Sequence, residues 1–294
     1  MKDGAPLRLP DFIAVGPPRT GTTWLDRVLR GHVGLPAGVK ETQFFIWRYS
    51  LGIEWYAAHF RDCPANVPAG EVAPTYFAPP EVRDRIALHI PRCRIICTLR
   101  DPVDRFYSHY KMWHRIGVIK ASFDYVAAHH RELVDHTRYA FNVRAWYEKF
   151  GRENVLVMIH EDSRVDRQGY INRLCAFIGT APIDLSAIPW ERERLLDVRH
   201  APKSYRRARR ALQLKTVLGR YRLYRLADSL APVLDRWAGR GHEYPPLGPE
   251  MEASLRDRFR PEIEELEELI QRDLSAWKQP ASAKPAHPAP EAAS

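Results

Sequence analysis

No apolar run in this sequence is long enough to cross a bilayer. The purest, such as Phe12-Ile13-Ala14-Val15, are only a few residues long, against roughly 20 for a spanning helix. Met1 to Asp11 is polar and holds prolines, without an apolar segment, so no secretory leader is expected. Cysteine is scarce. Cys63, Cys93, Cys97 and Cys175 show no zinc-like spacing, and free thiols in a reducing cytoplasm are expected. Cys93 and Cys97 sit at even spacing and face one side of a strand without meeting. No internal repeat is present. Acidic residues are absent from Arg199 to Ala227, where ten Lys and Arg residues lie.

What is there belongs to a folded, soluble chain. Of 294 residues 45% are hydrophobic and 28% charged, enough to bury one sizeable core. Mean hydropathy is -0.42. The formal charge of +9 calls for an anionic partner. Nucleic acid and a polyphosphate-like cofactor both fit that charge.

Apolar periodicity predicts strands over 11–16, 70–72, 94–99 and 154–159. Helices are predicted over 22–30, 80–88, 102–113, 143–150 and 170–178. Strand and helix alternate to about residue 180, so the fold class is α/β: a parallel sheet flanked by helices on both faces. An acidic amphipathic helix is expected over 249–277, interrupted or kinked at Pro261. Residues 1–278 read as one domain and 279–294, rich in Pro, Ala and Ser, as a disordered tail.

Gly16-Pro17-Pro18-Arg19-Thr20-Gly21-Thr22-Thr23 joins the first strand to the first helix. Amides and a helix N-terminus there form an anion cradle. The glycine spacing is that of a phosphate-binding loop, but Thr22 holds the position of the lysine that reaches the outer phosphates of a nucleoside triphosphate. That disfavours ATP or GTP hydrolysis. A second element, Arg100-Asp101-Pro102, ends a strand and opens a helix, with Asp101 as N-cap and Pro102 first in the helix. On that helix Asp104, Ser108, Lys111 and Arg115 are expected to share a polar face.

With the following Trp24, Pro18 to Trp24 resembles the 5'-phosphosulfate loop of sulfotransferases that use 3'-phosphoadenosine-5'-phosphosulfate (PAPS). Arg19 stands where many members have Lys. Arg100 and Ser108 resemble the pair that binds the 3'-phosphate. Lys40-Glu41-Thr42-Gln43-Phe44-Phe45 and Glu71-Val72-Ala73-Pro74-Thr75-Tyr76-Phe77 resemble segments of the heparan sulfate N- and 3-O-sulfotransferases. The resemblance covers roughly residues 11–180 and implies a P-loop-like fold. It assigns the donor site to Arg19, Thr20, Gly21, Thr22, Thr23, Trp24, Arg100 and Ser108. It makes Glu41 the general base and puts Lys40 near the transferred sulfate. It also suggests that Lys203 or Arg206 closes over the nucleotide as a basic loop.

An ordinary Glu is ionised at neutral pH, and Lys40 and Arg19 are expected to hold Glu41 so. His109, His114, His129, His130 and His200 are the other base candidates, although the histidine motif of cytosolic sulfotransferases is missing. The resemblance implies PAPS as co-substrate, PAP as product and no metal. The implied acceptor is a hydroxyl or amine of a carbohydrate, a glycolipid or a small molecule. A bacterial, cytoplasmic member fits best, with no nucleic-acid partner and its oligomeric state open. The basic helix near 214–224 is either a solvated face or a contact for an anionic membrane or acceptor. The competing functions are a small-metabolite kinase with a P-loop and a non-catalytic module for anionic polymers.

Overall fold

The computed structural model describes residues 7–188, 199–220 and 223–280. Four short strands make its central sheet: β1 (Phe12–Gly16), β2 (Gly70–Val72), β3 (Arg94–Leu99) and β4 (Val155–Ile159). All neighbours are parallel, in the order β2-β1-β3-β4. β1, β3 and β4 read as largely continuous apolar runs, not alternating ones, because both sheet faces are covered.

Between β1 and β2 the chain makes α1 (Thr22–Leu29), a π turn at Phe44–Arg48 and α2 (Ile53–Ala57). α3 (Pro80–His89) leads into β3. Four helices connect β3 to β4: α4 (Pro102–Arg115), the short α5 (Phe123–His129) and α6 (Arg131–Asp135), and α7 (Tyr139–Phe150). α8 (Asp162–Val165) and α9 (Arg167–Ile178) follow β4. Further on, β5 (His200–Pro202) pairs antiparallel with β6 (Arg240–Glu243). Between those two strands α10 (Tyr205–Arg220) and α11 (Tyr224–Ala238) pack together as a helical hairpin, and α12 (Pro249–Ile270) comes last.

The period-two geometry of β1 divides the core. Ile13 and Val15 pack with Val82 and Ile86 of α3, Val143 and Trp146 of α7, and Phe259 and Ile263 of α12. Phe12 and Ala14 meet Leu25 and Val28 of α1 and Ile171 and Leu174 of α9. Each such side chain contributes about 1.5–3 kcal/mol when fully buried. Cys93 and Cys97 lie in the first of these clusters as free thiols, and burial pushes both well up from the ordinary thiol range.

Three expectations change. α12 runs through Pro261 and stops at Ile270, with only a short 3₁₀ turn at Ser275–Trp277 beyond it. Pro261 and Asp257 are both exposed, so water can serve the carbonyl that the proline leaves without its usual donor. Arg115 is not on a polar face of α4. It is buried, donates to Gly239 O at 2.6 Å and pairs with Asp235 of α11 at 2.5 Å. Arg206, expected with Lys203 in a basic loop, is not in a loop, because α10 begins at Tyr205. The buried Ala208 and Ala211 of α10 give an Arg-rich segment the small inner face a packed helix needs. The expected tail lies outside the described residues from 281 onward. Among the described residues no helix is long and apolar enough to cross a membrane.

Candidate active site

After β1 the chain goes to one side of the sheet and then crosses to β3 on the other. In open parallel sheets the carboxyl ends flanking such a reversal are where ligands bind. The loop after β1 carries Arg19, and Arg100 immediately follows β3. Both side chains line one cleft of about 1280 Å³, together with Gly21, Thr22, Thr23, Trp24, Lys40 and Glu41.

The first loop is shaped by backbone requirements. Gly21 has φ 86°, and a Cβ there would stand 2.6 Å from His160 Nδ1, so no other residue fits without movement. Arg19 itself has φ 77°. Thr20 is buried, and its hydroxyl bonds Pro17 O and Thr98 Oγ1, each at 2.7 Å. Its side chain therefore ties the loop to β3 and does not face the cleft. The first backbone bond of α1 runs from Leu25 N–H to Gly21 O at 3.0 Å. The amides before Leu25 thus precede the helical ladder, at the positive end of the α1 dipole.

Arg19 donates from Nε to Ser108 Oγ at 2.9 Å, and Arg100 donates to Arg19 O at 3.5 Å. Burial, and then the charge of Arg100, lower Arg19 to about 10. Guanidinium groups held this way favour an anion between them. Ser108 is nearly buried beneath Arg19 and does not line the cleft.

The β3–α4 corner that presents Arg100 is pinned from three sides. Asp101 caps α4 by accepting from Val103 N–H at 2.9 Å and Asp104 N–H at 3.2 Å. Its other oxygen meets Arg256 of α12 at 3.2 Å, both groups being buried. Its own N–H donates to Glu161 Oε1 at 3.0 Å. Arg100 meets Asp104, not Asp101, at 3.8 Å.

Across the cleft, Glu41 Oε1 accepts from Lys40 Nζ at 2.7 Å and Oε2 from Gln43 Nε2 at 2.7 Å. Gln43 Oε1 accepts from Thr75 Oγ1 at 2.8 Å. Thus Lys40 does contact Glu41, whereas Arg19 is directed to Ser108. Beneath them lies fully buried Glu71. It accepts from Thr42 N–H at 2.6 Å and Tyr56 O–H at 2.9 Å. Burial raises its carboxyl to about 7, against the pull of those hydrogen bonds. Glu71 therefore fixes the peptide immediately after Glu41. The π turn that follows gives Arg48 the reach to donate to Thr42 O at 2.7 Å.

The histidines sort differently from expectation. Of the five candidates only His109 lines the cleft. It is held well below the usual imidazole range by burial and Arg105. His114 packs instead against Tyr205 and Tyr244. His136 and His160, not singled out in the sequence, also line the cleft, and burial lowers each to about 3. Lys203 and Arg206 are exposed and outside the cleft lining, because β5 carries Lys203 toward Gly239. Arg138, Arg164 and Arg167 do line it. Scattered single arginines give no sequence signal, which is why they were missed.

A doubly covered parallel sheet with an anion-binding loop after β1 and a second cation after β3 defines a protein that handles phosphate-like groups. A particular family matches over most of that architecture: the sulfotransferase domain, over residues 9–213. The chain belongs to that family. It is 32% identical over 171 residues to the membrane-associated sulfotransferase kil1 of Dictyostelium discoideum, covering 52% of this chain and 36% of that one. It is 30% identical over 199 residues to the bifunctional heparan sulfate N-deacetylase/N-sulfotransferase 3 of Homo sapiens, covering 60% and 23%. The chain thus spans well under half the length of these relatives. A sulfotransferase from Alicyclobacillus acidocaldarius shares the fold, with a TM-score of 0.65, 22% identity, and 92% and 100% of the two chains covered.

Proposed function

We propose that residues 1–278 act as one cytoplasmic domain that transfers a sulfuryl group from PAPS to a hydroxyl or amine. The acceptor belongs to a carbohydrate, a glycolipid or a small molecule. The observation that carries this reading is the convergence of Arg19, Arg100 and the Lys40–Glu41 pair on one cleft at the carboxyl ends of β1 and β3.

The acceptor oxygen or nitrogen attacks sulfur, and its proton passes to Glu41. The bond from sulfur to the bridging oxygen of the 5'-phosphate breaks in line, and PAP leaves with the negative charge. Arg19 and the amides at the start of α1 stabilise that charge. Arg100, with Ser108 behind Arg19, holds the 3'-phosphate. Lys40 neutralises the sulfuryl oxygens in passage. Positioning and fixed charge supply most of the acceleration, since a monoanionic sulfuryl group needs less cation than a terminal phosphoryl group. The N-sulfotransferase relative motivates testing amines as well as hydroxyls.

The test has two parts. Calorimetry should show PAP binding more tightly than 5'-AMP and ATP. Labelled PAPS should then pass its label to a member of an acceptor panel. Tight ATP binding with phosphoryl transfer would make the protein a kinase. PAP binding with no transfer to any acceptor class, and no slow hydrolysis of PAPS, would leave a binding module.

A further inference from the structure

The α10–α11 hairpin has its side chains distributed against the usual rule. A surface helix normally buries its large apolar residues and exposes its charges. In α10 the fully buried side chains of the inner face are Ala208 and Ala211, with Leu212 and Leu218 only half-buried. Arg207, Arg210, Leu214 and Val217 recur at i, i+3, i+7 and i+10 on the outer face, and all four are exposed. In α11, Ala238 is buried and Asp235 turns inward to Arg115. Leu226, Val233 and Trp237, at i, i+7 and i+11, are exposed, Val233 by 57%. The Arg207 guanidinium lies 5.8 Å over the Trp237 ring, so the two outer faces adjoin. Large apolar groups and arginines thus share one continuous surface.

We propose that this surface docks the protein on an anionic lipid bilayer. Arginine guanidiniums would pair with lipid phosphates while the leucine, valine and tryptophan side chains enter the headgroup–acyl boundary. Charge selects this occupant over a second copy of the chain. A contact between two copies through α10 would bring two arginine-rich faces together, and no acidic residue lies anywhere in α10 to offset them. A nucleic acid would use the arginines but leave the exposed stripe of α11 without a role. The hairpin is also tied to the cleft. α4 supplies Ser108 to Arg19 and, about two turns later, Arg115 to Asp235. Docking would therefore hold the cleft within one helix of a lipid surface.

Flotation of the full chain with phosphatidylcholine vesicles, with and without phosphatidylglycerol, tests this directly. The expected result is association at least about tenfold stronger with the anionic vesicles, weakened by added salt. The double change Arg207→Glu, Arg210→Glu and the triple change Leu226→Ser, Val233→Ser, Trp237→Ser should each weaken it about tenfold or more, with PAP binding and the melting temperature kept. No association of the wild-type chain with anionic vesicles overturns the proposal whether or not the variants fold. So does equal association with both vesicle types. Duplex DNA binding that matches vesicle binding and ignores the triple change would assign the face to nucleic acid. A dimer abolished by the triple change would assign it to self-association.

Discussion

Arg19 reaches across 89 residues of sequence to donate its Nε–H to Ser108 Oγ at 2.9 Å. This bond joins the loop after β1 to the helix after β3, so the two halves of the proposed donor site are one hydrogen-bonded unit. It also makes the two halves respond together to mutation.

Arg100→Ala should weaken PAP more than 5'-AMP, by about 1.5–3 kcal/mol for a lost charge-assisted contact. Ser108→Ala should weaken both nucleotides, because it also releases Arg19. Calorimetry of the two variants against the two ligands checks this. Equal losses for Arg100→Ala would remove Arg100 from the 3'-phosphate.

Glu41→Gln keeps an acceptor for Lys40 and removes the base. PAP affinity should hold while turnover falls on the order of 10² to 10⁴-fold. Single-turnover transfer from labelled PAPS is the measurement. Near-normal turnover would move the proton to a group on the acceptor or to His109, His136 or His160.

Glu71 is a stability group with a defined pH window. Its folded pKa, about 7, lies above the ordinary carboxylate value of 4.5, so the folded state binds the extra proton. Its contribution is full below about pH 4.5 and is lost as pH rises toward 7. The loss is on the order of 3 kcal/mol at 1.36 per unit. Denaturant titrations from pH 4.5 to 8 should show this slope in the wild type and a flatter one in Glu71→Gln. Parallel profiles would mean that Glu71 stays ionised.

Gly21→Ala should cost more than 1 kcal/mol of stability and reduce PAP affinity. It forces a left-handed residue and a Cβ against His160 at once. His160→Ala in the same chain removes the clash but not the backbone strain. Recovery of part of the loss, measured by melting and PAP titration, separates the two causes.

Three strands of the sheet, β1, β3 and β4, were legible because each is an apolar run rich in β-branched residues. Arg19 and Arg100 were legible because the chain turns immediately before or after them. Glu71 was not read as a buried group. A Gly-Glu-Val strand of three residues looks like surface, and only Tyr56 and Thr42 N–H, brought in from elsewhere, make its burial tolerable. The start of α10 was hidden for a related reason. A row of arginines gives no apolar period, and the two alanines that face inward are too small to announce a core.

The pairing of Asp101 with Arg256 bears on the order of synthesis. The family match ends at residue 213, yet the cation that neutralises the buried cap of α4 arrives 155 positions after Asp101. Removing the Arg256 guanidinium alone from the folded chain would take one charge partner from the buried Asp101 carboxylate, a change that costs about 3–5 kcal/mol for a buried pair. On the ribosome the strands can assemble early, but the corner that aims Arg100 settles only after α12 has emerged. The corner that carries Arg100 is thus completed by a helix made late in synthesis.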